Sequence, residues 1–224
     1  MVDESIIAYL KNNCNDISEE NIRTLFRMDI LPEEIPLSDE NKERLIAALK
    51  AVKMLDPACG SGAFPMGMLN RMLDLLHKLS PSDTSKYQTK LHLIENCIYG
   101  VDIQTIAVQI SKLRFFISLI CEQEKDAKRE NYGIIALPNL ETKFVAANTL
   151  IGLKKDFSDK LDLQNEELNT LKTQLLDVRH KHFLAPSAYE KHKLRELDKD
   201  LRKRIKTFLI DNSTKPNTEK INIS

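Results

Sequence analysis

Apolar residues in the first fifty positions recur at intervals of three and four. Ile6, Ile7 and Leu10 share one face of a helix predicted over 3–13, and Ile22, Leu25 and Phe26 one face of a helix over 19–28. Pro32 and Pro36 interrupt the chain. Ser38 or Asp39 then caps a helix running to about Lys50, with Leu45, Ile46 and Leu49 inward. From Ala51 the period changes. The run 51–55 is short and apolar and leads at once into Asp-Pro and two glycines, which predicts a buried strand entering a tight loop. Helices are expected over about 63–79 (Met66, Leu69, Leu73 and Leu76 on one side) and 86–96, with a loop at 80–83 between them. A second strand is expected over 97–101, ending at Asp102. The next helix, about 104–122, carries Ile106, Ile110, Leu113, Phe116, Ile117 and Ile120, enough to predict burial on more than one face. A charged loop, 123–130, precedes a third strand over 142–147 that ends at Asn148. Strand and helix in alternation give an α/β class with a parallel sheet.

Past Gly152 the pattern turns to long, charged, leucine-spaced segments. Leu161, Leu168, Leu171 and Leu175 form one stripe and Leu194, Leu197, Leu201 and Ile205 another, with Pro186 between. This predicts a helical hairpin from segments 160–182 and 188–210, and the polar end from Asp211 to Ser224 is expected to fray. The expected organisation is a helical segment over 1–50, a sheet region over 51–153, a charged hairpin over 154–212 and a polar tail over 213–224.

Composition adds constraints. Hydrophobic residues make up 42% of the 224, so a core can form, and the 33 basic residues balance the 33 acidic ones. Overall charge therefore does not advertise a polyanion partner, and any such contact must come from a local patch. Cys14, Cys59, Cys97 and Cys121 are widely spaced without a C-x-x-C pair, which reads as reduced thiols of a cytoplasmic protein. No apolar run approaches the length of a membrane span, and the start of the chain lacks the marks of a signal peptide.

The candidate chemistry lies at Asp56-Pro57-Ala58-Cys59-Gly60-Ser61-Gly62-Ala63-Phe64. A glycine loop between strand and helix suits a nucleotide because its backbone can approach a ligand closely. Pro65 stands where the dinucleotide fingerprint needs its third glycine, and Met68 follows Gly67 where a P-loop needs lysine, so neither cradle is supported. The nine-residue string resembles motif I of the N6-adenine DNA methyltransferases and is especially similar to the type IIG restriction–modification enzymes. The resemblance implies a partial Rossmann-like, class I methyltransferase sheet of about three parallel strands that binds S-adenosylmethionine. Gly60 and Gly62 would let the loop, with Pro57, Ala58 and Cys59, wrap the methionine end; Asp56 would lie near its amino group and Phe64 against the cofactor. Tyr99-Gly100-Val101-Asp102-Ile103 is similar to the second motif of such enzymes, which makes Asp102 the ribose acceptor and Ile103 a flank for the adenine ring. A carboxylate can take both hydroxyl protons, although Asp102 alone would pass as a helix cap. Residues 145–152 are similar to motif III and put Asn148 at the adenine, although an Asn ending a strand also suits a turn. The helix 104–114 and the stretch from Val178 to Phe183 share the likeness, which runs from about residue 40 to about residue 210.

The family acts through Asn/Asp-Pro-Pro-aromatic, and no Pro-Pro occurs in this chain. The expectation is a cofactor-binding fragment, without catalytic residues of its own, of an adenine-specific enzyme that acts on double-stranded DNA. A class I methyltransferase with another substrate and a non-catalytic scaffold are the alternatives. In the family's order the first strand is central, so the strand near 53–55 should here show an uncovered edge, a place for self-association. Glu141-Thr142-Lys143 has the letters of a nuclease triplet but reads as ordinary surface. His180 and His182 read as exposed helix residues and not as metal ligands. Residues 189–206 hold eight Lys or Arg against four acids, a candidate contact for DNA phosphates.

Overall fold

The computed structural model describes residues 1–27, 29, 34–81, 86–128, 132, 134, 137–151, 166–185 and 187–213. Pro32, Asp83, Gly152, Leu161, Pro186 and the tail from 214 lie outside the described residues. The chain divides into two compact units, Met1–Thr149 and Leu150–Ser224.

The first unit opens with three helices, α1 (Val2–Asn13), α2 (Glu19–Leu25) and α3 (Asp39–Ala51). Ser18 and Ser38 cap α2 and α3, each hydroxyl accepting from the backbone N–H three residues on. The helix α3 runs through Ala51, so the expected strand over 51–55 begins later: β1 is Met54–Asp56. The apolar run at its start is shared between the last turn of α3 and the strand. Next come α4 (Ala63–Leu79), α5 (Lys86–Asn96), β2 (Ile98–Asp102), α6 (Thr105–Ile120) and β3 (Phe144–Ala146). The sheet is parallel in the order β1-β2-β3, with Leu55 beside Tyr99 and Val101 beside Val145.

The helices α4, α5 and α6 lie on one face of this sheet. Under them Ile98 and Phe144 are fully buried, and the Phe144 ring meets Phe115 of α6 at 4.6 Å between centroids. Gly100 makes this possible: a Cβ there would come within 2.7 Å of the Phe144 ring. The helices α1, α2 and α3 form an outer layer, α1 and α3 on α4. Arg71 of α4 is tied to Asp3 of α1 at 2.7 Å and donates to the Phe26 carbonyl at 2.8 Å. The opposite face of the sheet is open among the described residues: Leu55 is 60% exposed and Val145 is exposed. Among the described residues β1 is an edge strand, and an apolar groove of about 280 Å³ lined by Tyr9, Val52, Leu55 and Met68 runs beside it.

Three expectations about helix faces are corrected. The helix α6 buries a single face, Val108, Ser111, Phe115 and Leu119, while Ile106, Ile110, Leu113, Ile117 and Ile120 are all exposed. Its apolar content exceeds what the described residues cover. In the second unit, α7 (Glu166–Leu184) and α8 (Ala188–Ser213) pack on each other around Leu171, Val178 and Leu201. Leu194 and Ile205 join that core, but Leu197, expected inward, is exposed, because the buried stripe is centred on Asp198 and Leu201 and leaves Leu197 at its flank. His182, expected at the surface, is 3% exposed, because it follows Val178 by one turn and falls on the same stripe. His180 is exposed as expected. Among the described residues no helix is long and apolar enough to cross a membrane.

Candidate functional site

Three strands end on one rim of the sheet, and their loops are joined there by hydrogen bonds. The first loop leaves β1 at Asp56, whose Oδ1 accepts from the Ala58 N–H at 3.1 Å and so turns the chain sharply. Cys59 N–H then donates to the Val101 carbonyl at 2.9 Å, which fastens the loop alongside β2. Gly60 and Gly62 both take positive φ, +54° and +79°, conformations that an L residue adopts only with strain. The two glycines meet different surroundings. A Cβ on Gly60 would have nothing within 4 Å, whereas one on Gly62 would stand 2.8 Å from the Ser111 hydroxyl. The loop is open in front of Gly60 and closed behind Gly62. Phe64, in the first turn of α4, is half-buried, and Pro57 and Ala58 are exposed.

Asp102 ends β2 and holds two loops at once. Its Oδ2 accepts from Gly60 N–H at 2.8 Å and its Oδ1 from Gln104 N–H at 2.8 Å. The helix-cap reading of Asp102 is therefore true of one oxygen, while the other reaches across the rim. Each carboxylate oxygen carries two lone pairs, so both retain capacity for a further donor. Ile103, next in the chain, is 70% exposed beside this carboxylate. The third loop closes the group: Ala147 N–H donates to the Asp102 carbonyl at 2.9 Å and the Thr149 hydroxyl to the Pro57 carbonyl at 3.1 Å. Asn148 sits, exposed, between those two ties. Gly60, Asp102 and the turn at Asn148 thus share one rim.

Burial is the main reason the Cys59 thiol is held above its ordinary range; the nearby Asp56 and Asp102 add to this and a hydrogen bond with Ser111 opposes it. Cys97, under the sheet, is pushed up to about 11 by burial. Neither is a ready nucleophile. Among the described residues no group of three or more His, Cys, Asp or Glu could hold a metal ion. The triplet 141–143 is engaged in the fold: Glu141 N–H donates to Asn139 Oδ1, and the Lys143 ammonium donates to the Glu95 carbonyl and lies 4.5 Å from the Tyr99 ring centroid.

Two side chains at the rim receive no role from the sequence. Thr149 is a plain threonine after Asn148, and Ser111 is a lone small polar residue on the buried face of α6. The second had a readable signal, since a hydroxyl amid Val108, Phe115 and Leu119 must find a partner.

Comparison with known proteins bears on the family of the chain. The chain matches the family model of the Eco57I restriction-modification methylase over residues 96–220. It is 37% identical over 142 residues to a putative type II restriction enzyme and methyltransferase, RM.MjaORFECS2P, of Methanocaldococcus jannaschii, a match covering 61% of this chain and 12% of that protein. It is 33% identical over 67 residues to the adenine-specific methyltransferase PglX of Streptomyces coelicolor, covering 30% of this chain and 5% of that protein. The chain thus spans only a small part of the curated relatives it matches. No solved structure matches it. With over half of its length fitting the family model and a parallel α/β sheet beneath, the chain belongs to the Eco57I restriction-modification methylase family.

Proposed function

We propose that this chain is the cofactor-binding part of a site-specific, adenine-specific DNA methyltransferase of the type II restriction–modification kind. In the complete protein, methyl passes from S-adenosylmethionine to the adenine N6 of double-stranded DNA. The observation that carries this reading is the single hydrogen bond from Gly60 N–H to the Asp102 carboxylate, which unites the glycine loop and the end of β2 in one site. S-Adenosylmethionine fits the residues present. The space in front of Gly60 is open to a ligand, and Asp102 has acceptor capacity left for two ribose hydroxyls. When bound, the cofactor supplies an activated methyl group.

Around it, Asp56, Pro57, Ala58, Cys59, Gly60 and Gly62 form the wall at the amino-acid end, and Phe64 packs against the ligand. Asp102 orients the ribose; Ile103 and Asn148 flank the adenine, Ile103 by apolar contact and Asn148 by its amide. The ligand lies within the region 51–153. The chain alone does not methylate, because its 224 residues hold no Asn/Asp-Pro-Pro-aromatic motif to receive a flipped adenine.

DNA is the partner of the basic side of α8. Arg195, Lys199, Lys203 and Lys206 stand on the face turned away from Leu194, Leu201 and Ile205, at steps of about 4.5–6 Å along the axis. Asp198, nearly buried, is neutralised by Arg179 at 2.9 Å and Arg202 at 2.7 Å, so it takes nothing from that face. The open edge of β1 is a surface for self-association. The protein is cytoplasmic, where this donor and this substrate meet.

Calorimetry with S-adenosylhomocysteine tests the central point. The wild-type chain takes up one equivalent, and Asp102→Ala weakens uptake by about tenfold or more. Absence of wild-type uptake leaves the scaffold reading instead. A labelled-methyl assay on mixed DNA should record no turnover with this chain. Reversing Lys199, Lys203 and Lys206 to Glu should reduce the slope of log affinity against log salt for a DNA duplex by about 3. Sedimentation as a monomer at every concentration removes the proposal for the β1 edge.

A further inference from the structure

We infer that Ser111 is a positioning residue for the glycine loop: its hydroxyl fixes the Gly60 carbonyl and so sets the wall that meets the amino-acid end of the ligand. The inference rests on the cofactor reading above and adds a residue that lies in none of the three loops. Ser111 is fully buried in the middle of α6, on a face otherwise formed by Val108, Phe115 and Leu119. A hydroxyl in that setting is unfavourable unless it is hydrogen-bonded. Its bond goes to the Gly60 carbonyl at 2.9 Å, across 51 residues of sequence. Serines inside helices commonly bond back to their own preceding turn. This one is spent on the loop.

The bond acquires its meaning from what holds the other side of the same residue. Gly60 donates its N–H to Asp102 at 2.8 Å while its carbonyl accepts from Ser111. Both polar groups of one glycine are thus clamped by side chains from two different elements, with φ fixed at +54°. Glycine has more backbone freedom than any other residue, so a glycine that must present a fixed surface needs such a clamp. The approach of the loop to α6 depends on Gly62 as well, whose missing Cβ leaves the Ser111 hydroxyl its place. Ser111 therefore closes the back of the loop, and the front of Gly60 stays open. Without the hydroxyl the Gly60 carbonyl keeps only the long contact from the Cys59 thiol at 3.8 Å, and the competent loop becomes one state among several. Affinity falls by the fraction lost.

The test compares two ligands on wild type and Ser111→Ala. S-Adenosylhomocysteine carries the amino-acid end; 5′-methylthioadenosine shares its adenosine and sulfur but lacks that end. Ser111→Ala should weaken S-adenosylhomocysteine by about tenfold while 5′-methylthioadenosine changes by less than about twofold. In the unliganded protein, amide exchange over residues 58–62 should speed up by about tenfold with the rest of the sheet unit unchanged. Equal weakening of both ligands, or none of either, overturns the inference, as does unaltered exchange in the loop. A wild-type chain that binds neither ligand overturns the cofactor reading itself, a result distinct from any of these. Should Ser111→Ala fail to fold by circular dichroism, Ser111→Cys, which keeps the size and a weak donor, carries the same comparison.

Discussion

In the hairpin of α7 and α8, the contacts that matter join positions three or four apart on one helix to a matching stripe on the next. At the rim of the sheet the decisive bonds join residues 42, 51 and 92 positions apart: Gly60 to Asp102, Ser111 to Gly60, and Thr149 to Pro57. The hairpin is a product of periodicity. Most of its core could change among Leu, Ile and Val with modest cost, provided the stripe remained. The rim is a product of closure, where each bond requires that strands far apart in the chain already lie side by side. Structure that depends on pattern tolerates substitution, whereas structure that depends on single distant atoms does not. The candidate ligand site is of the second kind.

The largest effect that would break this contrast is at Gly62. Gly62→Ala places a Cβ 2.8 Å from the Ser111 hydroxyl at a φ of +79°. The combined strain and overpacking should lower stability by about 3 kcal/mol. Urea unfolding measures it, and an unchanged midpoint would show that the loop does not rest on α6. Next comes Leu201, 3% exposed in the hairpin core. Leu201→Ala should cost about 2 kcal/mol, at the low end for a buried leucine because the small core can collapse. Helical signal should be lost at lower urea while uptake of S-adenosylhomocysteine stays as in wild type. Reduced uptake would mean that the hairpin and the rim are not energetically separate.

Gly60→Ala sharpens the contrast within one loop. Its new Cβ meets no atom within 4 Å, so the stability cost is the positive-φ strain alone, about 1 kcal/mol. That Cβ enters the space assigned to the ligand, and uptake should fall far more than stability does. Parallel losses would show that the two glycines are equivalent.

The smallest effect concerns acid. Hydrogen bonds and charge from Arg23 hold the Glu4 carboxyl below its usual 4.5, and Lys11 with Arg23 does the same for Glu19. Carboxylates depressed in the folded state contribute stability that is complete above 4.5 and is lost as pH falls through the folded value. All of these groups are exposed, so the contribution is slight and screened by salt. Arg23→Ala should flatten the acid limb of the thermal midpoint a little, and added salt should remove the difference.

The amino-acid sequence alone determined the order of strands and helices, a cap at the start of α3, the glycine loop and the chemistry of its likeness. All of these are local, since periodicity, capping and a nine-residue string are read within one element and its neighbours. Tertiary structure decided which apolar residues are covered. The helix α6 carries two apolar stripes, and only packing against Phe144 chose Val108, Ser111, Phe115 and Leu119 as the inner one. His182 went inward and Leu197 outward for the same reason: a stripe shows that a face exists, and its partner fixes where that face is centred. Tertiary structure alone also revealed that one carboxylate at the end of β2 and one hydroxyl on α6 grip the same glycine. A hydrogen bond between distant residues depends on the position of two atoms in space, and no spacing in the chain encodes that position.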